Sequence, residues 1–417
     1  MHVLLIGSGA REHAIAAALA KSPRLTRLSV APGNAGTARV ATNIDVDVAD
    51  HEAVARFCES ENVEMVVVGP EVPLVAGIAD SLSAKRPNVR VVGPGAAGAQ
   101  LEGSKAFSKA LMAEFGIPTA AYEAFTDDLA GAQQFLRKLK PPYVLKADGL
   151  AAGKGVIIAP ALEEADAELA EMFGGKFGDA SRTVVIEEFL DGPEFSVFVL
   201  TDGTDYQLLP VARDYKRVGE GDTGPNTGGM GAISPVPFVD KHMMQKVRER
   251  IVEPTLYGLR TRDIPYTGVI FLGLINVGGE PYVIEYNARL GDPETEVVLP
   301  RITSDLLAHF ESLFDGTLPQ NEIRVDSRAA ATVVMASGGY PGAYEKGKII
   351  TGVDDAAEST VFLAGVREER GRLLTDGGRV LAVTSFGVTG AEAAEESRRA
   401  LRGIRFEGGF YREDIGK

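Results

Sequence analysis

The sequence predicts an α/β fold that continues into an α+β fold, arranged in three or four packed subdomains. In the first hundred residues, short apolar runs alternate with stretches of helical apolar spacing, a pattern typical of a parallel sheet buried on both faces. From residue 194 onward the chain is rich in strand patterns, which one long helix interrupts. The tail after residue 323 again mixes short strands and turns.

Four strands and three helices are predicted in the first hundred residues. The strands span residues 3–6, 28–30, 65–68 and 89–92, and the helices span residues 11–21, 50–60 and 74–85. Ligands of parallel sheets bind at the carboxyl ends of the strands. The glycine-containing segments after these four strands are therefore candidate binding loops.

The remaining elements alternate less regularly. A helix is predicted at residues 104–115, with Ser104 as its N-cap and Gly116 as its stop. Further strands are predicted at residues 143–147, 156–158, 183–190, 194–200, 206–212, 267–277 and 281–286. Further helices are predicted at residues 162–173, 240–262 and 391–401.

Composition excludes several classes of protein. The 417 residues include 43 Lys plus Arg and 58 Asp plus Glu, and the net charge of −15 argues against a general nucleic-acid or anionic-membrane binder. The single cysteine, Cys58, excludes an intramolecular disulfide and a cysteine-clustered zinc site, and it suits a cytoplasmic protein. No apolar run reaches the roughly 20 residues of a membrane helix. We expect a monomer that binds small molecules.

The glycine loop at residues 7–12 follows a strand and begins a helix, so it can bind a phosphate. A dinucleotide site needs a small residue where Glu12 stands, and an acid about 20 residues further on. No Asp or Glu lies between His13 and Ile44. A sugar-phosphate site is therefore favoured over an NAD site. The alternative is that the glycines only form a tight turn.

Two segments suggest a nucleotide site other than a P-loop, since no P-loop motif exists in the chain. Lys146 ends an apolar strand, and a Gly/Ala loop with Lys154 follows it, as in a hairpin flap over a triphosphate. Glu187 and Glu188 end the next strand, where carboxylates can bind ribose hydroxyls. An exposed hairpin and exposed acids are the alternatives.

A third segment predicts a metal site. Residues two apart on a strand share a face, so Glu285, Asn287 and, if the strand continues, Arg289 project together. A carboxylate and an amide oxygen suit Mg²⁺ that also binds substrate phosphates, and an arginine suits phosphate or carboxylate. A surface salt-bridge patch is the alternative.

In this order, Lys146, the loop at residues 148–155, Glu187-Glu188 and Glu285-Tyr286-Asn287 resemble the ATP-grasp superfamily. Four motifs narrow the resemblance to the phosphoribosylamine–glycine ligase family. They are Gly-Ser-Gly-Ala-Arg-Glu-His-Ala at 7–14, Ala-Pro-Gly-Asn-Ala-Gly-Thr at 31–37, Gly-Pro-Asn-Thr-Gly-Gly-Met-Gly at 224–231 and Arg-Leu-Gly-Asp-Pro-Glu-Thr-Glu at 289–296. The resemblance covers the chain to residues 412–416.

The resemblance implies a preATP-grasp parallel-sheet domain, an ATP-grasp core with a flap subdomain, and a small mixed C-terminal domain. The implied limits are 1–102 for the preATP-grasp domain, 103–120 with 187–322 for the ATP-grasp core, 121–186 for the flap subdomain and 323–417 for the C-terminal domain. It implies the second step of purine synthesis, in which ATP, glycine and 5-phosphoribosylamine give glycinamide ribonucleotide, ADP and phosphate through a glycyl phosphate. ATP would bind with Mg²⁺ or Mn²⁺.

The resemblance also implies roles for single residues. Catalytic roles fall to Arg289, Asp214 and Lys216, with Asp214 binding the glycine ammonium. The nucleotide contacts are Lys105, Lys146, Lys154, Glu187, Glu188, Leu190 and Glu194. The contacts with the other substrates are Gly9, Arg11, Gly33, Asn34, Pro70, Glu71, Asn226 and Asp292. The metal ligands are Glu285 and Asn287.

Two departures from the family pattern affect the site. Arg213 and Tyr215 stand where the family commonly has Gln and His, which leaves the contacts around Asp214 open. The strand at residues 268–277 lacks the additional acid of many ATP-grasp enzymes, so one metal has more support than two. The rival interpretations are an NAD-linked oxidoreductase, another ATP-grasp ligase such as a carboxylase of a neighbouring purine step, and a non-catalytic binding module.

Overall fold

The computed structural model describes residues 1–151, 155–356 and 358–417. Its N-terminal part is a five-stranded sheet in the order β3-β2-β1-β4-β5, with every pair parallel, which confirms the predicted α/β start. The elements are β1 (His2–Gly7), α1 (Ala10–Leu19), β2 (Arg27–Pro32), β3 (Thr42–Asn43), α2 (His51–Ser60), β4 (Met65–Val68), α3 (Glu71–Val75), α4 (Ile78–Lys85), β5 (Arg90–Val92) and α5 (Ala96–Gly103).

One helix of this part differs from the prediction. The single helix predicted at residues 74–85 is two helices, α3 and α4, separated by Ala76 and Gly77. Gly77 has a φ of +81°, a conformation that ends one helix and redirects the chain into the next. The break lets α3 begin directly at Glu71, beside the carboxyl end of β4.

The middle part builds two four-stranded sheets, in the orders β6-β9-β7-β8 and β11-β10-β16-β17, and one separate hairpin, β13-β14. Its elements are α6 (Lys105–Glu114), β6 (Tyr122–Thr126), α7 (Leu129–Leu136), β7 (Tyr143–Ala147), β8 (Val156–Ala159), α8 (Leu162–Phe173), β9 (Thr183–Glu188), β10 (Glu194–Thr201), β11 (Tyr206–Leu208), β12 (Arg213–Asp214), β13 (Arg217–Gly219), β14 (Thr223–Asn226), β15 (Gly231–Ser234), α9 (Lys241–Val247), α10 (Glu253–Thr261), β16 (Gly268–Val277), β17 (Glu280–Asn287), α11 (Thr295–Arg301) and α12 (Leu306–Ser312).

Two predicted elements of this part need adjustment. The strand predicted at residues 206–212 ends at Leu208, because Pro210 has no N–H to continue the ladder. The long helix predicted at residues 240–262 is α9 and α10 joined by one π-helical stretch, Arg248–Val252. Asp240 caps its start by accepting a hydrogen bond from the Met243 N–H.

The C-terminal part contains β18 (Ala329–Ala336), β19 (Ile349–Ile350), β20 (Thr360–Leu363), β21 (Val366–Glu369), β22 (Arg372–Thr375), β23 (Arg379–Gly387) and α13 (Gly390–Leu401). Its main sheet has the order β12-β15-β18-β23-β20, so two strands from the middle part complete it. The domain limits remain predictions. The pairing of β15 with β18 crosses the boundary that is predicted at residue 323. The pairing fixes β12 and its Asp214 to the C-terminal sheet.

The largest buried cluster joins these parts. It runs from Leu5 and Val67 of the N-terminal sheet through Phe271 of β16 to Val298 and Phe310 of α11 and α12. Packing across parts in this way holds the ends of several sheets at one cleft. In the described ranges, no helix is long and apolar enough to cross a bilayer.

Candidate active site

The cleft between these parts encloses a cavity of about 720 Å³. Its walls come from β7 and β9 of the sheet β6-β9-β7-β8, which we call the flap sheet, from β17, and from the segment that includes β12, β13 and β14. Arg11 and Glu71 reach it from the N-terminal part, and Arg379 reaches it from β23. All parts of the chain therefore contribute side chains to a single cavity.

Most of the residues singled out from the sequence line this cavity: Arg11, Glu71, Lys105, Lys146, Glu187, Glu188, Leu190, Glu194, Asp214, Lys216, Asn226, Glu285, Asn287, Arg289 and Asp292. Gly9, Gly33, Asn34 and Pro70 are not among the lining residues. Lys154 lies outside the described residues. The roles assigned to all these residues remain predictions.

One end of the cavity, which we call the lysine end, is rich in cations. It contains Lys105, Lys109, Lys146 and Glu187. The Lys146 and Lys109 ammonium groups lie 2.9 and 3.0 Å from the same oxygen, Glu187 Oε2, and all three side chains are buried. In the described structure, Glu187 Oε1 has no hydrogen-bond partner. Burial, together with the charge of Lys146, lowers the pKa of Lys109 to about 8 despite its bond to Glu187.

Lys109 was missed in the sequence. It follows Lys105 by one turn of α6, so the two side chains share a face of the helix. Lys109 also donates to Thr119 Oγ1 at 2.7 Å. Helical spacing from Lys105 was the only available signal. A helix with apolar residues at positions 107, 111 and 115 does not by itself direct a lysine into a cleft.

A second group of charged residues, which we call the acid end, has Asp214, Glu194, Glu285 and Glu294 around Lys216. It borders the lysine end, because Lys146 and Lys105 also act on the charge of Glu285. The Lys216 Nζ lies 3.0 Å from Glu194 Oε2 and 3.9 Å from Glu285 Oε1. Although burial alone would lower the pKa of Lys216, these carboxylates raise it well above its usual value. Lys216 therefore stays charged.

The pKa values of the acids at this end are shifted in different directions. Burial, followed by the charges of Glu194 and Glu285, raises the pKa of Asp214 despite Lys216. Burial also raises the pKa of Glu294 to about 7, and Asp214 adds to the effect. For Glu285 burial acts in the same direction, but the surrounding cations, Lys216 first, lower its pKa. The excess of carboxylates can bind an ammonium group or a metal ion.

Glu285 and Asn287 lie on the same face of β17, as strand alternation predicts. Both line the cavity, as does part of Tyr286 between them, but the Tyr286 side chain is buried and its hydroxyl lies 2.8 Å from Thr255 Oγ1. Glu285 pairs with Gly273 of β16, where a Cβ would approach Glu285 Cγ to 3.0 Å. Glycine at this position leaves room for the Glu285 side chain to lie along the sheet.

Arg289 is held by two carboxylates from the N-terminal part. β17 ends at Asn287, so the strand pattern does not extend to Arg289. Its Nη2 lies 2.6 Å from Glu102 Oε1, and its Nε lies 3.2 Å from Glu71 Oε2. These pairs place the guanidinium at the cavity wall between the N-terminal part and β17.

Glu102, which the sequence analysis missed, also positions the residues before Arg289. Its Oε2 accepts from the Ala288 N–H at 2.8 Å. In the orientation that satisfies its amide, Asn287 donates to Glu102 Oε1 at 3.1 Å, which leaves the amide oxygen of Asn287 for another partner. A buried acid in α5, with no recognisable motif around it, gives no signal in the sequence.

These donors fit the predicted metal site. Glu285 is held in its anionic form, and Asn287 keeps its oxygen free, which is the donor set of a carboxylate plus an amide that Mg²⁺ accepts. In the part of the chain that the structure describes, no group of three or more His, Cys, Asp or Glu is placed to hold a metal ion.

The glycine loop after β1 is filled by Glu12. Glu12 Oε2 accepts from the Gly9 N–H at 2.6 Å, and Oε1 accepts from Arg11 Nε at 2.6 Å. A Cβ on Gly69, at the end of β4, would come within 2.1 Å of Glu12 Oε1. The Glu12 carboxylate thus covers the strand ends where the pyrophosphate of a dinucleotide would bind, which argues against the NAD interpretation.

The loop after β2 is held by Asn34. Its amide nitrogen donates to the Ser8 and Leu363 carbonyls at 2.7 Å each. Its oxygen accepts from the N–H groups of Gly36 and Thr37. Both ends of this buried amide therefore bind protein groups and connect the loop to β1 and to the C-terminal sheet. The predicted contact of Asn34 with the sugar phosphate stays a prediction.

Arg379 is a further cavity residue that the sequence analysis missed. Its Nη1 lies 2.9 Å from Asp292 Oδ1 and donates to the Gly228 carbonyl at 2.6 Å. It thereby joins the motif at residues 289–296 to the motif at residues 224–231. The two motifs lie about sixty residues apart in the sequence, and only the folded sheet brings β23 next to both.

Comparison with known proteins assigns all three parts to one family. Models of phosphoribosylglycinamide synthetase match as the N domain over residues 1–102, the ATP-grasp (A) domain over 103–295 and the C domain over 330–417. The phosphoribosylamine–glycine ligase of Rhizobium meliloti is 50% identical over 417 residues, which are 100% of this chain and 98% of the relative.

Solved structures agree. The phosphoribosylamine–glycine ligase of Thermotoga maritima has a TM-score of 0.86 and 37% identity, covering 100% of both chains. The biotin carboxylase domain of Hydrogenobacter thermophilus 2-oxoglutarate carboxylase, solved with MgADP and bicarbonate, has a TM-score of 0.70. It is 17% identical and covers 98% of this chain and 91% of its own, so it shows the shared fold alone.

Proposed function

The chain belongs to the phosphoribosylglycinamide synthetase family, and we propose that it ligates glycine to 5-phosphoribosylamine with ATP. The products are glycinamide ribonucleotide, ADP and phosphate, a step of purine biosynthesis. The chain is thus a C–N ligase. A monomeric state and a cytoplasmic location remain predictions of the sequence.

The observation that carries this proposal is the single cavity with ends of opposite charge. The lysine end suits a triphosphate, and the acid end suits the ammonium of a zwitterionic amino acid. Arg11 and Glu71 bring the N-terminal part to the same cavity, where a third substrate has room. A reaction of three substrates needs all of these contacts at once.

In the first half of the proposed reaction, a glycine carboxylate oxygen attacks the γ-phosphorus of ATP, and the bond to the β-γ bridging oxygen breaks. The result is glycyl phosphate and ADP. We assign Lys105 and Lys146 to the phosphates, and Asp214 to the glycine ammonium. Arg289, fixed by Glu71 and Glu102, offers a rigid positive charge near the transferred group. Positioning and charge neutralisation carry this step.

Members of the ATP-grasp superfamily use ATP with a divalent metal ion, and we assign Glu285 and Asn287 as its protein ligands. When bound, such an ion neutralises phosphate charge and orients the phosphates for in-line transfer. The choice between Mg²⁺ and Mn²⁺ remains open.

In the second half, the amine of phosphoribosylamine attacks the carbonyl carbon of glycyl phosphate. The C–O bond to phosphate breaks, and the proton that the amine loses as the amide forms passes to the released phosphate. We assign Arg11, Glu71, Asn226 and Asp292 to binding this substrate and holding it next to the acyl phosphate. Because an acyl phosphate hydrolyses in water, the flap sheet with Lys146 has a further purpose in covering the cavity.

The rival functions make different demands on the cavity. An NAD enzyme needs the strand ends that Glu12 occupies. A carboxylase of a neighbouring purine step would accept bicarbonate in place of glycine. A non-catalytic module would have no need of the paired lysines and the Arg289 clamp. The carboxylates of the acid end favour a substrate that bears an ammonium group over bicarbonate, because they attract the ammonium and repel the bicarbonate anion.

The test is ADP formation by the purified chain with freshly generated phosphoribosylamine. We expect ADP formation to depend on glycine and not on bicarbonate. With glycine labelled by ¹⁸O in its carboxylate, one labelled oxygen should appear in the released phosphate, since glycyl phosphate transfers that oxygen. Bicarbonate-dependent ADP formation would support the carboxylase instead, and phosphate without label would exclude the glycyl phosphate route.

A further inference from the structure

The segment at residues 412–416, Arg-Glu-Asp-Ile-Gly, is a motif that the proposed reaction does not use. We propose that it is a positioning element, which we call the anchor segment, for the β13-β14 hairpin and for Tyr215, and that it thereby sets the affinity for glycine. The inference rests on the proposed function, because it takes Asp214 and the neighbouring hairpin as the glycine end of the cavity.

A hairpin like this one needs outside support. Within the described residues it is a two-stranded sheet with no further strand on either edge, and such sheets are marginal on their own in water. Its turn includes two consecutive residues with positive φ, Gly221 at +66° and Asp222 at +54°. Asp222 is the less favourable of the two, because its side chain crowds the backbone there. Contacts from elsewhere would therefore stabilise the turn beyond its own hydrogen bond from Thr223 Oγ1 to the Glu220 carbonyl.

Arg412 of the anchor segment supplies these contacts. Its Nη1 donates to the Arg217 carbonyl and to Asp222 Oδ1, at 2.9 Å each. Its Nε and Nη2 bind both oxygens of Asp414 at 2.8 and 2.6 Å. Asp414 Oδ2 in turn accepts from the Gly221 N–H at 2.8 Å. One buried guanidinium and one carboxylate thus fix the first strand and the turn of the hairpin.

The anchor segment also contacts Tyr215, which lies between two predicted catalytic residues, Asp214 and Lys216. Two guanidinium groups lie over the Tyr215 ring, with that of Arg213 5.3 Å and that of Arg412 5.4 Å from the ring centroid. The Tyr215 hydroxyl accepts from the Gly416 N–H at 3.1 Å. The departure at Tyr215 therefore builds a contact to the anchor segment that connects it with Asp214 and Lys216.

The anchor segment is itself fixed to the C-terminal part. Ile415 is fully buried in the cluster beneath the C-terminal sheet. Its carbonyl accepts from Arg398 Nη1 of α13 at 2.7 Å. The anchor segment is therefore attached to the C-terminal part independently of the hairpin, and it can position the hairpin from there. Since Arg412 does not line the cavity whereas Tyr215, Arg217 and Asp222 do, its effect on glycine must pass through Tyr215 and the hairpin.

The test compares Arg412→Lys, which keeps the charge but loses the forked geometry, with Arg399→Lys. Arg399 is a matched control, an exposed arginine of α13 that pairs with Glu396 and lies away from the hairpin. We expect Arg412→Lys to raise the KM for glycine about tenfold, as a misplaced binding group does, with the KM for ATP changed less than about twofold. Hydrogen exchange should speed up at residues 217–226 and stay unchanged in β18 and β23.

A double-mutant cycle separates positioning from general damage. Asp222→Asn should act in the same direction as Arg412→Lys, and the double variant should lose less than the sum of the two, because both break one contact. If Arg412→Lys fails to fold, Asp222→Asn gives the same comparison from the exposed partner. An unchanged KM for glycine, or equal increases in the KM values for glycine and ATP, would overturn the inference.

Hydrogen exchange needs no substrate, so the two proposals can fail separately. If the wild-type chain shows no glycine-dependent turnover, the proposed function is wrong, and the assignment of glycine to this end falls with it. If turnover is normal but exchange at residues 217–226 is the same in wild type, Arg412→Lys and Arg399→Lys, the anchor segment does not hold the hairpin, and the inference is wrong.

Discussion

The two ends of the cavity contain the same kinds of charged group in opposite proportions. The lysine end has three lysines around one carboxylate: Lys105, Lys109, Lys146 and Glu187. The acid end has four carboxylates around one lysine: Asp214, Glu194, Glu285, Glu294 and Lys216. Glu187 forms close pairs with Lys109 and Lys146, at 3.0 and 2.9 Å. Lys216 forms one close pair, with Glu194 at 3.0 Å.

This difference shows what each end lacks. Burial and like charge lower the pKa of Lys109 at one end and raise the pKa of Asp214 at the other. Burial is the main cause of both shifts and like charge adds to it, so a ligand of opposite charge would stabilise the charged form of each group. A triphosphate would complete the first end, and an ammonium group with a metal ion would complete the second. The two groups, which meet at Glu285, therefore suit the different substrates of the proposed reaction.

The largest effect should come from the acid end, at Glu285. Glu285→Gln keeps the size of the side chain but removes the anionic ligand, and we expect activity to fall by about two to three orders of magnitude. Excess metal ion should restore part of it. The measurement is metal-dependent turnover together with the melting temperature. Glu280→Gln, at the exposed start of the same strand, is the matched control.

A Glu285→Gln protein that melts earlier but turns over normally at low temperature would show that Glu285 is only a structural partner of the neighbouring cations. The metal site would then lie elsewhere, and the acid end would bind glycine alone.

At the lysine end, Lys146→Met removes one of the two close partners of Glu187. We expect the KM for ATP to rise about 10- to 100-fold while the KM for glycine stays within about twofold, because we assign the lost charge to the phosphates and the glycine ammonium to Asp214. Lys176→Met, on the exposed surface of the flap part, controls for the loss of a lysine. An unchanged KM for ATP would remove Lys146 from the nucleotide site.

A smaller effect is expected for Asp214→Asn. The neutral amide can still accept a hydrogen bond from the glycine ammonium, so we expect the KM for glycine to rise about tenfold, the loss of one charged hydrogen bond. The KM for ATP should stay nearly constant. Steady-state kinetics with Asp179→Asn as a surface control checks this. If the glycine dependence does not change, the ammonium binds another of the acids around Lys216.

The smallest effect concerns pH and Glu294. Its folded pKa of about 7 is raised above that of the unfolded chain, so the folded protein holds an extra proton between about pH 4.5 and 7. Stability should therefore fall as pH rises through this window and level off above it. Glu294→Gln should lack this dependence, and its melting temperature should gain on wild type between pH 5 and 7. The same dependence of melting temperature on pH in the two proteins would contradict the raised pKa.

Sequence reasoning located the elements that carry local patterns. The parallel sheet and Ser104 as the cap of α6 follow from apolar spacing and turn residues, and the structure has both. Glu285 and Asn287 were placed on one face because alternation along a strand needs no tertiary information. Motifs that repeat a family pattern likewise marked most of the residues that line the cavity.

Residues that reach the cavity from distant parts of the chain gave no such signal. Glu102 and Arg379 lie in elements with no motif, and they meet Arg289 and Asp292 only because the N-terminal and C-terminal sheets pack at the same cleft. Glu12 was treated as a defect in a dinucleotide motif, whereas its carboxylate caps its own loop. Side-chain geometry of this kind depends on the whole fold.

The central claim is that the two ends of the cavity bind different substrates, and equilibrium binding of a non-hydrolysable ATP analogue tests it most directly. Calorimetry on wild type, Lys146→Met and Asp214→Asn separates the ends without any turnover. We expect the affinity to fall about 10- to 100-fold in Lys146→Met and to stay within about twofold of wild type in Asp214→Asn. Equal loss in both variants, or loss in Asp214→Asn alone, would contradict the division of the cavity into a nucleotide end and a glycine end.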